Sequence, residues 1–288
     1  MFLKIGDFLL SLDSHKKIPA PFDLFKVEQN TRELDIEISA GTDYSLQSKL
    51  LKGHVPVFKS DACWEIYNWR DRIIFRDIFN NQGINADSII AVSNREISSV
   101  NLYSSKEIGS PQSVNPLSYP LGSLILLSKL ARKRGIFLHA SGIKDGRNRG
   151  FVFCGPSGVG KSTVAKLWQK SGQGRVLNDD RLIVRKKENR FFAYGCPWHS
   201  KDNRMVANEK FEIKEIFFLM HSRDNYAKFL NRREAFLRII PQAFFPAWDK
   251  SAINSSLSFL KDLCGKVRFF ELRFKPTKEI IDFIRRIN

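Results

Sequence analysis

The chain has 288 residues, 43% hydrophobic and 12% aromatic, enough apolar material for one large or two small domains and too much for a disordered chain. Its 47 basic and 30 acidic residues leave a net charge of +17, which suits an anionic partner: a nucleic acid, an anionic surface, or an acidic substrate. Four scattered cysteines, Cys63, Cys154, Cys196 and Cys264, form no C-x-x-C pair, which argues against a zinc ribbon or a dithiol redox motif and fits a reducing, cytoplasmic compartment.

The first stretch, Phe2–Leu12, is interrupted by Lys4 and Asp7; it lacks the continuous apolar core of a signal peptide and reads as an alternating strand. Further strands are expected at Glu33–Ser39, Val55–Phe58, Cys63–Trp69, Asp71–Asp77, Ser88–Val92 and Val100–Tyr103, with Asn68–Asp71 turning one strand into the next. Residues 1–115 therefore form a β-rich N-terminal domain, and the loop-like Gly109–Pro116 marks its end. A second domain, residues 116–288, opens with an apolar helix over Tyr119–Arg134, with Gly135 as its cap. Ile136–Ile143 and Gly150–Cys154 then form a hairpin around the polar turn Lys144–Arg149. Beyond lie a helix starting near Gly160, a short strand Arg175–Asn178, a hairpin Leu182–Arg185 and Arg190–Tyr194, and a buried strand Ile213–Met220. Helices are expected at Arg232–Ala243, Asp249–Cys264 and Thr277–Ile287, with a strand at Val267–Phe274 between the last two. The fold class is α/β (α+β): a β-rich N-terminal region followed by a mixed sheet flanked by helices. No run approaches the roughly 18 apolar residues of a membrane span.

The most informative segment is Gly155-Pro156-Ser157-Gly158-Val159-Gly160-Lys161-Ser162, which matches the phosphate-loop (P-loop) pattern G-x-x-x-x-G-K-[ST] at every fixed position. Glycines permit the tight turn that points backbone N–H groups inward as a nest for anionic oxygens. Lys161 is placed to reach the β- and γ-phosphates, and the Ser162 hydroxyl to ligate Mg²⁺. The apolar run Phe151–Cys154 before it and the helical pattern after it supply strand, loop and helix in the required order. The following helix directs its positive dipole end at the same place. Residues 155–163, including Thr163, are the expected nucleotide contacts.

Downstream, the interval from Ser162 to Asp179 accommodates one helix of about twelve residues, a turn and a short strand. That strand is expected beside the one feeding the loop, so that its end delivers Asp179 and Asp180 to the γ-phosphate side. Two carboxylates there serve two needs of phosphoryl transfer: one holds Mg²⁺, the other accepts the proton of the attacking hydroxyl. An Asp-Asp-Arg polar turn is the plainer alternative. His139, in the hairpin's first strand, either faces the phosphates or is a hydrogen-bonded structural residue. Gly195–Ser200 is a candidate contact loop, its Cys196 and His199 lacking a second pair for zinc. Arg204, Arg232 and Arg233 are candidate charge stabilisers. The basic cluster Arg181, Arg185, Lys186, Lys187 and Arg190 looks like a hairpin edge, without the interleaved aromatics of a nucleic-acid channel.

Together, His139-Ala-Ser-Gly, the hairpin, the loop and Val176-Leu-Asn-Asp-Asp-Arg181 resemble the C-terminal catalytic domain of the HPr kinase/phosphorylase family and its relatives, some of which are encoded beside peptide-modification genes. That family shares a nucleotide-binding core with phosphoenolpyruvate carboxykinase. The resemblance covers roughly residues 119–220. It implies ATP and Mg²⁺ as cofactors, Lys161 and Ser162 on phosphate and metal, Asp179 as catalytic carboxylate, Asp180 as its metal-side neighbour, and His139 as the site histidine. Two departures stand out: Thr163 replaces a glutamate, and the family's second acidic Arg-Gly signature is absent, Gly195–Ser200 occupying that region. The expected activity is a Mg/ATP-dependent kinase acting on a hydroxyl, a serine of a peptide or protein or a small hydroxy compound. The alternative is an ATP-binding accessory protein that recruits a partner. Nucleotide and acceptor are the expected partners, a nucleic acid is not, and a homo-oligomer is compatible with both readings.

Overall fold

The computed structural model describes residues 1–13, 20–28, 33–40, 45, 49, 51–60, 64–77, 89–104, 117–147, 149–198 and 205–287. Cys63, Ser88, His199, Ser200, Arg204 and the segment Gly109–Pro116 lie outside the described residues. The architecture is α+β, with two large mixed sheets and few helices. The chain divides into two compact units, Met1–Arg132 with Pro246–Lys250, and Lys133–Phe245 with Ser251–Asn288.

The first unit holds β1 (Phe2–Ile5), β2 (Phe8–Leu12), β3 (Lys26–Val27), β4 (Ile36–Ala40), β5 (Phe58–Lys59), β6 (Trp64–Trp69), β7 (Arg72–Asp77), β8 (Ile89–Asn94), β9 (Ser99–Ser104) and α1 (Leu121–Arg132). The strands run in the order β3-β1-β2-β4-β9-β8-β7-β6-β5. The expected single strand Phe2–Leu12 is in fact a hairpin: Ile5 pairs with Phe8, and Gly6 and Asp7 both take positive φ, 58° and 67°. Two consecutive left-handed residues make the tight turn that matches strand twist, and Gly-Asp tolerates it. Trp248 packs edge-on against Trp64 and Phe75, giving this unit an aromatic cluster. Gly135 is not the cap of α1; Arg134 takes the left-handed conformation (φ 54°), because Gly135 is already extended and paired with Arg185.

The second unit is built on β10 (Gly135–Asp145), β11 (Gly150–Cys154), β12 (Gly174–Asn178), β13 (Arg181–Lys187), β14 (Arg190–Tyr194), β15 (Lys210–Glu212), β16 (Glu215–His221), β17 (Tyr226–Leu230), β18 (Ala243–Phe244) and β19 (Arg268–Phe274). Its helices are α2 (Lys161–Ser171), α3 (Arg232–Ile239), α4 (Lys250–Lys266) and α5 (Glu279–Arg286). The main path is β15-β14-β13-β10-β11-β16-β19-β17. Strand periodicity sorts the core. Val152 and Cys154 face one side with α3 and α4 residues such as Ile239 and Leu260; Phe151 and Phe153 face the other with Trp168 of α2 and Ile280 of α5. The sheet is thus covered on both faces, which explains why β11 is apolar at every position.

The expected place of the strand before Asp179 is also corrected. β12 does not lie beside β11: the neighbours of β11 are β10, antiparallel, and β16, parallel. The hairpin occupies that edge, so β12 pairs with the far side of β10. The chain from Gly174 to Lys187 runs antiparallel to β10 throughout, β12 against Gly142–Asp145 and β13 against Gly135–His139. Asp179 and Asp180 fall at the interruption between the two, where the Ala140 N–H donates to the Asp180 carbonyl at 3.0 Å.

Candidate functional site

The Gly155–Ser162 loop leaves the end of β11 and enters α2. Gly155, Gly158 and Gly160 all have positive φ, at 147°, 82° and 104°. At Gly160 there is also no room: a Cβ there would lie 2.6 Å from Cζ of Phe274. Gly160 is the N-cap of α2 and, having no side chain, supplies no cap hydrogen bond to the first-turn N–H groups.

A cavity of about 300 Å³ opens on this helix end, lined by Ser157, Gly158, Gly160, Lys161, Ser162 and Thr163 on one side and His139, Asp179 and Asp180 on the other. The structure thereby brings together most of the residues expected to form a site. Gly155, Pro156 and Val159 shape the loop without lining the cavity; the Val159 N–H donates to the Pro156 carbonyl at 3.3 Å.

Lys161 is only 6% exposed. Its ammonium donates to the carbonyls of Gly155 (2.7 Å) and Pro156 (3.0 Å). Burial holds its pKa below the ordinary lysine value, and nearby Cys154 and Asp180 offset part of that shift. Cys154 is itself pushed up to about 12 by burial, so its thiol is neutral at physiological pH and Asp180 is the anion that matters. His139 Nε2 stands 3.3 Å from Asp180 Oδ1. Asp179 is 3% exposed, with Asp180 more open beside it.

Three further residues surround the site without lining the cavity. Asn178, fully buried, accepts at Oδ1 from the Asp180 and Arg181 N–H groups and donates through Nδ2 to the Cys196 and Trp198 carbonyls. Arg181 lays its guanidinium 4.1 Å over the Phe244 ring. His221, at the end of β16, stacks on Phe274 and comes within 3.4 Å of the Gly158 carbonyl. No local signal marks His221, because its neighbour in space lies far away in sequence. A short polar residue before Asp-Asp is the one hint at Asn178.

The remaining candidates lie elsewhere. Arg232 donates to the Lys261 carbonyl on α4. Arg233 is the second residue of α3, its N–H donating to the cap Asn231, which forms a reciprocal capping box with Glu234. Cys196 and Cys264 are buried thiols pushed up to about 12. Among the described residues no group of three or more His, Cys, Asp or Glu side chains could cage a metal by itself.

No protein-family model and no curated protein matches the chain. Among solved structures the similarity is weak. One such structure is the Hpr(Ser) kinase/phosphatase from Coxiella burnetii, 11% identical with a TM-score of 0.32, over 52% of this chain and 93% of that one. Among the described residues no helix is long and apolar enough to cross a membrane.

Proposed function

We propose that the cavity at the start of α2 binds the phosphates of MgATP and that the protein transfers the γ-phosphoryl group to a hydroxyl. One observation carries this reading: a helix N-terminus without a side-chain cap behind a glycine-built loop, a buried lysine and two adjacent carboxylates border the same cavity. A helix end and inward N–H groups favour a polyanion. Lys161 would exchange its two carbonyl partners for phosphate oxygens. The donor set also suits Mg²⁺, which takes one or two carboxylates and completes its shell with phosphate oxygens and water. Ser162 and Asp180 would hold it, and it would neutralise charge developing on the phosphoryl oxygens.

In this reading Asp179 takes the proton of the acceptor hydroxyl. The acceptor oxygen bonds to the γ-phosphorus as the bond to the β–γ bridging oxygen breaks, and ADP leaves. The acceptor is a serine of a peptide or protein, or a small hydroxy compound.

Titration calorimetry with MgATP, on the wild type and Lys161→Ala, tests the binding step. Release of labelled γ-phosphate, with water as the default acceptor, tests the transfer step. Equal affinity in both proteins would refute phosphate binding here; binding without any phosphate release would leave an ATP-binding accessory protein instead.

A further inference from the structure

Asp179 and Asp180 sit where β12 gives way to β13, a break in the ladder that the Ala140 N–H bridges by donating to the Asp180 carbonyl at 3.0 Å. One side-chain amide also holds the break. Asn178 has two acceptor positions on Oδ1 and two N–H donors on Nδ2, and all four are used. Oδ1 accepts from the Asp180 N–H at 2.8 Å and the Arg181 N–H at 2.9 Å. Nδ2 donates to the Cys196 carbonyl at 2.9 Å and the Trp198 carbonyl at 3.1 Å. The orientation of the amide is therefore determined: flipped, it would point donors at two N–H groups and an oxygen at two carbonyls. The residue is wholly buried, so water cannot substitute for these partners.

Two more contacts tie the same pieces together. The Cys196 thiol donates to the Arg181 carbonyl at 3.1 Å, and Trp198 packs edge-on against Phe137 of β10. The aspartate turn and the Cys196–Trp198 segment thus form one hydrogen-bonded unit with Asn178 at its centre. Asn178 does not line the cavity, and it acts only through the turn.

We propose that Asn178 is the positioning residue for the aspartate pair: its Oδ1 sets the turn that aims Asp179 and Asp180 at the cavity, and its Nδ2 anchors that turn to Cys196–Trp198. The proposal rests on the reading of the cavity as a phosphoryl-transfer site. Misplacement of a reacting group by an ångström costs on the order of a hundredfold in rate, so the effect belongs in turnover and not in nucleotide affinity.

The two halves of the amide can be tested separately. Asn178→Asp keeps an oxygen for the Asp180 and Arg181 N–H groups and loses donors to the Cys196 and Trp198 carbonyls. Asn178→Ala loses both. Amide hydrogen exchange on the wild type is expected to show Asp180 and Arg181 protected; exchange of both at open-chain rates would overturn the proposal without any variant. In Asn178→Ala that protection is lost, γ-phosphate release from MgATP falls about a hundredfold, and MgATP affinity stays within about twofold. Asn178→Asp is expected to retain protection at both amides and more turnover than the alanine variant. Wild-type turnover in Asn178→Ala, or a loss appearing in affinity alone, would overturn it. If Asn178→Ala does not fold, the wild-type amides and the aspartate variant decide. A wild type that binds no MgATP would remove the reading of the cavity, and the amide protection would still report whether Asn178 orders the turn.

Discussion

The ammonium group of Lys161 donates a 2.7 Å hydrogen bond to the carbonyl oxygen of Gly155, at the opposite end of the loop it belongs to. The lysine thereby closes the loop on itself and holds a positive charge at the mouth of α2. Replacing it removes both the closure and the charge. Lys161→Ala is expected to lower MgATP affinity at least tenfold, about 1.4 kcal/mol, measured by calorimetry. Lys161→Arg keeps a charge but brings a planar, bulkier head group into a buried niche, and is expected to bind more weakly than the wild type.

The same burial gives a pH signature. Lys161 titrates below the ordinary lysine value because its charged form is poorly hydrated. A lysine is charged below its pKa, so a phosphate contact made by the ammonium is present at neutral pH and lost as pH rises through the lowered value. MgATP affinity should therefore fall on the alkaline side earlier than an ordinary lysine would dictate. The Lys161→Ala variant should lack that limb. A wild-type affinity that is flat up to the normal lysine range would contradict the assignment.

The aspartates are expected to separate by role. Asp179→Asn keeps the shape of the turn and removes a proton acceptor, so turnover should fall by roughly 10²–10⁴, the usual worth of general-base assistance, with MgATP affinity unchanged. Asp180→Asn removes the carboxylate partner of His139 and, in the proposed site, a carboxylate on the metal side. Its expected signature is a higher Mg²⁺ concentration for half-maximal turnover. Identical Mg²⁺ curves for Asp180→Asn and wild type would assign the metal contact elsewhere.

Gly158 and Gly160 both have positive φ, yet their surroundings differ. A Cβ on Gly158 meets no atom within 4 Å, whereas one on Gly160 would sit 2.6 Å from the buried ring of Phe274. Gly158→Ala should therefore cost only the backbone penalty, about 1–2 kcal/mol, read from denaturant unfolding. Gly160→Ala should cost more and also displace the loop. Pairing it with Phe274→Leu should recover part of the lost nucleotide affinity; no recovery would mean that the backbone, not the clash, dominates.

Strand, loop and helix around Gly155–Ser162 were legible because each is a local pattern: an apolar tetrapeptide, glycines at fixed offsets, and a helical face. Asp179 and Asp180 were legible through their distance from Ser162. Which edge β12 would take was not, because β10 and β11 are both apolar and nothing in Arg175–Asn178 distinguishes them. The same limit hid His221, whose ring reaches Gly158 only through the parallel pairing of β11 with β16. Gly6-Asp7 was overlooked for a different reason: the apolar residues on either side alternate well enough to pass for one strand. Asn178 reads from the sequence only as the end of a short strand, because two of its four partners lie on Cys196 and Trp198, in a separate part of the chain.

Arg285 of α5 and Asp145 at the end of β10 make the last test, because their pair lies away from the cavity and reports on stability alone. The Arg285 guanidinium donates from Nε and Nη2 to the two oxygens of Asp145, at 2.9 and 2.6 Å, and lies 5.1 Å over the Trp168 ring. Both side chains are buried, 8% and 0% exposed. Burial alone would raise the Asp145 pKa; the Arg285 hydrogen bonds and charge, with the Arg147 N–H, reverse this and hold it below the ordinary value. Removing the arginine leaves a buried carboxylate with its main partner gone, so Arg285→Ala is expected to destabilise by about 3–5 kcal/mol. Removing both charges in Arg285→Met with Asp145→Asn should cost much less than the two single losses together. The pH dependence follows from the direction of the shift. A carboxylate with a depressed folded pKa contributes stability that is fully present above its unfolded value, near 3.9, and is lost as pH falls through the folded value. Between pH 5 and that folded value the wild type should lose stability that the double variant does not. Parallel acid-unfolding curves for the two proteins would show that the pair contributes nothing.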